Sequence, residues 1–410
     1  MDTTKSVKLV QAASTLPRMK LMERALAWML RDLQFGSLQI QFPSGAECVL
    51  GEQGDAQIQL KIHRAAFFSK VFSSGSVGLG ESYVDGDWDT PDLSALLLLL
   101  AKNQQDLGRV GRGFSLLTQQ MNRLYHRARR NTLEKTQTNI QEHYDLSNDF
   151  YQSFLDPTMT YSSAYFQDHT ESLEQAQLRK IDRMLDLAGV AAGDSILEIG
   201  SGWGALALRA AQRGCHVKTI TLSEEQFTYS KELFARAGCA DRVGIALEDY
   251  RRQQGQYDAV LSCEMIEAVG REYLQSYFQV IRRSLKPGAR AVLQAITISD
   301  DRYDSYSRSC DWIQKHIFPG GHLPSPGAIR AHVADTKDMQ VLGLHLFGRD
   351  YAETLRRWAQ SFNAAEGDVD ALGFDARFRR KWNYYFSYCE AGFDAELIDV
   401  QHVVLERSGC

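Results

Sequence analysis

The residues Leu197-Glu198-Ile199-Gly200-Ser201-Gly202-Trp203-Gly204 carry the plainest chemical signal in this chain. Three glycines follow a short apolar run, Ser195 to Ile199, and precede a helix-like stretch from Ala205 to about Arg213. Glycine lets a backbone turn sharply and lie against a ligand with no Cβ in the way. A helix N-terminus beyond it adds unpaired N–H groups and a positive dipole end. Such a turn suits a nucleotide or nucleoside cofactor. Gly200-x-Gly202-x-x-Ala205 also satisfies the dinucleotide fingerprint. Two residues shift the balance. Glu198 lies two positions before the first glycine, placed to accept a hydrogen bond from a ligand amine. Thr221 ends the next strand, where an NAD-binding site puts an Asp or Glu that holds the ribose. The pattern favours a nucleoside cofactor over NAD.

The elements around this loop alternate. A helix over Leu173–Leu187 precedes the strand Ser195–Ile199. The strand His216–Thr221 leads into Ser223-Glu224-Glu225-Gln226, a capping box that opens the next helix. Val243–Leu247, Tyr257–Ser262 and Ala289–Ile296 read as further strands, with a loop over Cys263–Gly270 and a helix over Arg271–Leu285 between the last two. Gln340–Phe347 and Leu397–Leu405 complete the set. This βαβ alternation predicts a doubly wound, parallel α/β sheet, with ligands bound outside the carboxyl ends of its strands. Ahead of it, a helix over Met19–Leu33, alternating strands at 37–42 and 57–62, a turn-rich element over Gly78–Trp88 and a buried helix over Leu93–Ala101 make a smaller α+β domain. The predicted division is 1–117 for that domain, 118–139 for a basic helical linker and 140–410 for the cofactor-binding domain. In the linker, Arg123, His126, Arg127, Arg129, Arg130 and Lys135 are interleaved with Met121, Leu124 and Tyr125. A basic amphipathic helix of this kind can lie against anionic lipid headgroups, and equally serves as a solvated linker.

Composition narrows the classes. The 410 residues are 44% hydrophobic and 24% charged, with a formal net charge of −5, so no basic field advertises nucleic acid. Seven scattered cysteines without C-x-x-C pairs read as a reduced, cytoplasmic chain with no disulfide framework and no zinc module. The first twenty residues lack the apolar core of a signal peptide. The leucine run 96–100 is far shorter than the about 20 residues that span a bilayer. Any contact with a membrane is expected from its surface.

Further motifs then join the glycine loop: Tyr144–Tyr151, Leu155-Asp156-Pro157, Met159–Tyr165, Thr221–Gln226, Asp249-Tyr250, Glu264–Gly270, Ile317–Ser325 and Phe347–Tyr351. In this order and spacing they resemble the cyclopropane-fatty-acyl-phospholipid synthases and mycolic acid cyclopropane synthases. The resemblance covers about residues 140–408 and, more loosely, the N-terminal domain. It implies a Rossmann-like class I methyltransferase that carries a methyl group from S-adenosylmethionine to the double bond of an acyl chain. It implies that Tyr161 and Ser162 touch the methionine part of the cofactor, and that Gly200 and Gly202 lie against methionine and ribose. Thr221, Leu222 and Gln226 then meet the ribose and adenine edge, and Asp249 and Tyr250 the adenine. Glu267 and Tyr351 match residues that hold a bicarbonate ion, helped by the backbone of Ser163 and Ile296. A homodimer at the inner face of a bacterial membrane, working on unsaturated phospholipid acyl chains, completes the expectation. The chain departs from the family at Ser163, where Cys is usual, at Gln294, where His is usual, and at Ala268, where His is usual. Glutamine can orient an anion but cannot accept a proton near neutral pH.

The chemistry explains why such residues are needed. An alkene is a poor nucleophile, so methyl group and double bond must be aligned in a dry site. Methyl transfer leaves a carbocation, which the faces of Tyr161, Tyr165 and Phe318 could stabilise. Proton loss from the new methyl closes a cyclopropane ring; loss from a chain carbon gives a methyl-branched alkene. The position of the base decides between them, and Gln294 alters that neighbourhood. A methyltransferase for small soluble acceptors would leave the N-terminal domain and basic helix without purpose.

Overall fold

The computed structural model describes residues 19–51, 57–103, 146–168 and 170–409. The chain packs as two compact units. One comprises Met1–Arg123 with Phe374–Ala395, and the other Leu124–Gly373 with Glu396–Cys410. The linker expected at 118–139 and its basic stretch lie outside the described residues, as do Tyr144 and Asp145.

In the first unit, β1 (Ser37–Gln41), β2 (Glu47–Gly51), β3 (Gln57–Ile62) and β4 (Trp88–Asp89) form a sheet of order β2-β1-β3-β4. Gly78–Val84, expected as part of a turn-rich element, is instead the second half of the helix Ala66–Val84, which kinks at Gly75. Gly78 is there for close approach, since a Cβ on it would lie 1.9 Å from the Lys70 carbonyl oxygen. The helix Ala376–Asp394 lies far along the chain, yet it belongs to this unit. Arg380 donates to Asp89 at 2.7 Å and to the Trp88 carbonyl at 2.8 Å, and Ser94 donates to Glu390 at 2.6 Å. Residues 374–395 are thus not part of the second unit, although the sequence places them within 140–410.

The second unit is built on a seven-stranded sheet among the described residues. Its strands are β5 (Ser195–Ile199), β6 (His216–Thr221), β7 (Val243–Leu247), β8 (Tyr257–Cys263), β9 (Leu285–Ile298), β10 (Met339–Leu346) and β11 (Ile398–Arg407). The order is β10-β11-β9-β8-β5-β6-β7. Strands β5 to β9 run parallel, while β11 is antiparallel to both β9 and β10. This is the doubly wound α/β sheet that the alternation predicts. Period-two alternation sends Leu197 and Ile199 to one face of β5 and Ile196 to the other, each into its own buried apolar cluster. Chain order reverses between β5 and β8, so the loops after these two strands flank the crevice where ligands bind in such sheets. No described helix is long and apolar enough to cross a membrane.

The helix Leu173–Ala188 starts at a capping box formed by Ser172 and Gln175 and ends at Gly189 in the left-handed conformation. The glycine loop ends on Gly204, with φ +93°, directly before the helix Ala205–Gln212. A Cβ at Gly204 would lie 3.0 Å from the Phe234 ring and from Ser230 Oγ. Gly204→Ala is therefore strained by both backbone and packing, and is expected to cost on the order of 1–3 kcal/mol. Thermal unfolding followed by near-UV circular dichroism checks this; an unchanged midpoint would contradict it.

Candidate active site

At the carboxyl end of β5 the backbone N–H groups of Gly200 and Ser201 both donate to the Ile220 carbonyl, at 3.0 and 3.1 Å. That pairing ties the glycine loop to β6. Gly200 sits at φ +95°, and a Cβ there would meet the Met265 side chain at 3.2 Å. The loop after β8 is thereby packed against the loop after β5. Glu198 is buried between β6 and β8, level with Thr219 and Leu261. Its Oε2 has no hydrogen-bond partner in the protein. Burial pushes its carboxyl up to about 8, against the pull of Thr219 and the Lys180 ammonium.

The other residues expected at the cofactor fall around this loop. Thr221 Oγ1 donates to Gln226 Oε1 at 2.8 Å and accepts from the Ser223 N–H at 3.1 Å, which fixes Leu222 between them. Asp249 caps the turn Tyr250–Arg252, and Arg251 Nε donates to its carboxylate at 2.9 Å. Burial raises the Asp249 carboxyl, but the Arg251 hydrogen bonds outweigh it and hold it below the usual range. Tyr250 is buried with its hydroxyl unpaired, and burial pushes it up to about 12. Tyr161 packs between Trp358 and Tyr151, with ring centroids 5.3 and 5.5 Å away, and Trp203 of the glycine loop lies 4.7 Å from Tyr151. Ser162 Oγ accepts from Lys180 Nζ at 2.6 Å. The Tyr165 ring carries the Arg183 guanidinium at 4.5 Å over one face, so that face is closed to a substrate cation.

The acid–base residues converge on a side chain that the sequence did not single out. Glu264 Oε1 accepts from the Ser163 N–H at 2.9 Å and from Gln294 Nε2 at 2.7 Å. Its Oε2 accepts from the Tyr351 hydroxyl at 2.7 Å. Gln294 Nε2 also donates to the Ser163 carbonyl at 3.1 Å. With a carboxylate and a carbonyl on that side, the amide must present its NH₂ there and its oxygen to the other. His402, paired across β11 with Gln294, sits 3.0 Å from that oxygen through Nε2, so its proton lies on Nε2. Burial, with Arg183, Lys180 and His345 nearby, holds His402 well below its ordinary value and therefore neutral. Glu267 stands apart: its Oε1 accepts from the Ile296 N–H, and its Oε2 has no partner in the protein. The His322 N–H donates to the Glu267 carbonyl at 2.8 Å.

These contacts test the two groups that the resemblance implies. For a cofactor bearing an ammonium and a ribose the fit is good: Glu198 offers an orphaned buried carboxylate oxygen, and a Cβ on Gly202 would meet no protein atom within 4 Å. For bicarbonate it is poor. The Ser163 N–H, the Gln294 amide and the Tyr351 hydroxyl already serve Glu264, and the Ile296 N–H serves Glu267. A further anion would also face two carboxylates. Lys180 and His402 escaped the sequence reading, and Glu264 entered it only as the first residue of the motif Glu264–Gly270.

The family model for mycolic acid cyclopropane synthetase matches residues 131–403. The tuberculostearic acid methyltransferase UfaA1 of Mycobacterium tuberculosis is 41% identical over 359 residues, covering 85% of this chain and 83% of that protein. The cyclopropane-fatty-acyl-phospholipid synthase of Escherichia coli is 34% identical over 365 residues, covering 86% and 89%. The solved mycolic acid cyclopropane synthase CmaA1, complexed with SAH and CTAB, superposes with a TM-score of 0.61 at 29% identity, covering 66% of this chain and 98% of that one. Coclaurine N-methyltransferase, at 19% identity and a TM-score of 0.60, shares the fold. With its doubly wound sheet, glycine loop and acid cluster in place, the chain belongs to the mycolic acid cyclopropane synthetase family.

Proposed function

We propose that this chain, by family an S-adenosylmethionine-dependent methyltransferase, methylates the double bond of an unsaturated phospholipid acyl chain, with proton loss then closing a cyclopropane ring. The observation that carries the reading is the junction of the two loops at the sheet's switch point, where Met265 packs on Gly200 beside the Glu264 cluster. S-adenosylmethionine, when bound, would supply an electrophilic methyl group to the alkene π pair, the electrons of the broken S–CH3 bond leaving with S-adenosylhomocysteine and a cation remaining on the chain. Glu198 would hold the cofactor ammonium, and the Gly200–Gly204 backbone would lie against its methionine and ribose. Thr221, Leu222 and Gln226 then meet the ribose and adenine edge, and Asp249 and Tyr250 the adenine. Tyr161 and Ser162 stand at the methionine end. Around Tyr161, the rings of Tyr151, Phe154 and Trp358 keep water away and offer π faces to positive charge.

Two further observations support a lipid acceptor. The names of the relatives refer to fatty acyl phospholipid, tuberculostearic acid and mycolic acid products. In the first unit, Leu21, Met22, Trp28 and Phe35 expose large apolar side chains, close in sequence to Lys20, Arg24 and Arg31. Apolar side chains beside basic ones suit a peripheral contact with an anionic inner-membrane surface. The homodimer implied by the family resemblance belongs to the same proposal.

Two measurements test this reading. Glu198 has a carboxyl raised in the folded chain above its unfolded value, so the stability it contributes is full below about pH 4.5 and is lost as pH rises through about 8. Glu198→Gln removes that loss. The variant is expected to unfold at higher temperature than wild type at pH 8, by on the order of 2–4 kcal/mol in stability, with the gap closing by pH 5. It should also bind S-adenosylhomocysteine more weakly; equal affinity would remove Glu198 from the cofactor site. In the second, purified protein is incubated with monounsaturated phospholipid vesicles and methyl-labelled S-adenosylmethionine, and the product is identified by mass spectrometry and NMR. Label in a cyclopropane ring is expected. A methyl-branched alkene would overturn the ring-closing step, and unlabelled lipid the proposal as a whole.

A further inference from the structure

We propose that Glu264 itself takes the proton from the methylated chain, standing where the family resemblance puts a bicarbonate ion. This rests on the alkene-methylation reading above and names the base of that same site. The geometry is specific. Three donors from three distant stretches, the Ser163 N–H, the Gln294 amide and the Tyr351 hydroxyl, converge on this one carboxylate. Ser163, Gln294 and Tyr351 are buried, whereas Glu264 is half-buried and keeps accessible surface. Its backbone sits at φ +48°, in the left-handed region that a glutamate rarely adopts. A non-glycine residue held in that conformation at the end of a central strand marks a position kept for its side chain.

Charge and lone pairs agree. Oε1 already accepts two hydrogen bonds and Oε2 one, so Oε2 retains an unused lone pair. The step balances without a further reagent. A C–H bond breaks, its electron pair closing the ring when it belongs to the new methyl group or forming a double bond when it belongs to a chain carbon beside the cation, and the proton lands on Glu264 Oε2. The proton leaves to water when the product departs. Burial raises the Glu264 carboxyl above its ordinary value, while Lys180, Tyr351, Ser163 and Gln294 restrain it. Gln294, which cannot accept a proton, keeps a role as a donor that His402 holds in register.

The labelled-lipid assay is run with wild type in buffer freed of carbon dioxide and again with added sodium bicarbonate. Equal turnover is expected. Activity that falls on depletion and returns with bicarbonate would overturn the proposal while leaving the methylation reading intact; no labelled lipid under either condition would sink that reading first. Glu264→Gln is expected to lower kcat about 100-fold or more, with the affinity for S-adenosylhomocysteine within about threefold of wild type. Turnover within about threefold of wild type would count against a base at this position. Should that variant fail to bind S-adenosylhomocysteine, Glu264→Gly takes its place, since glycine relieves the left-handed backbone. Its turnover in depleted buffer is expected to fall as far and to rise at least about tenfold with sodium formate, a small carboxylate able to enter the opened space; no rise would overturn the assignment.

Discussion

A carboxylate drawn away from water must have its hydration replaced by donors, and in this fold that demand falls on Glu264. One donor is the Ser163 N–H, ahead of the first central strand; another is Gln294 on β9; the last is Tyr351 in the helix Gly348–Ala364. The same pieces are tied again nearby, through the Ala164 N–H on Thr354 Oγ1 at 3.1 Å and the Phe166 N–H on Asp350 at 3.3 Å. The position of β11 follows the same logic. Lying antiparallel beside β9, it sets His402 opposite Gln294 and so determines which end of the amide faces the acid.

The parts of this arrangement that were legible in the sequence are those encoded locally. Strands β5 to β8 and the glycine turn are written in apolar runs and punctuating glycines, and their observed bounds fall within about a residue of the sequence reading. β9 begins earlier than expected, at Leu285 and not Ala289, because Lys286-Pro287-Gly288 lies inside the strand. β2 went unread: in Glu47–Gly51 only Cys48 and Leu50 point inward, too short a pattern to stand out. Gly78 misled because a glycine that permits close packing looks, in sequence, like one that permits a turn.

Ser163, Gln294 and Tyr351 could be named from the sequence, but not their meeting on Glu264. Glu264 is separated from Ser163 by 101 positions, from Tyr351 by 87 and from Gln294 by 30. No local pattern records such a meeting. Lysines are almost never fully buried, so Lys180 reads from sequence as a surface residue of its helix. Its burial becomes intelligible once Ser162 Oγ, Glu198 and Glu264 surround it with oxygen and negative charge.

Glu264 and Glu267 divide the ionisation between them. Glu264 has three donors, whereas Glu267 has the Ile296 N–H and an oxygen without a partner. Burial and then the charge of Glu264 push Glu267 up to about 8. The donors thus favour the negative charge of the pair on Glu264 and the proton on Glu267. One negative charge suits a reaction whose intermediate carries one positive charge. The family resemblance supplies the anion as a separate ion; this chain builds it into the loop after β8, where it cannot diffuse away.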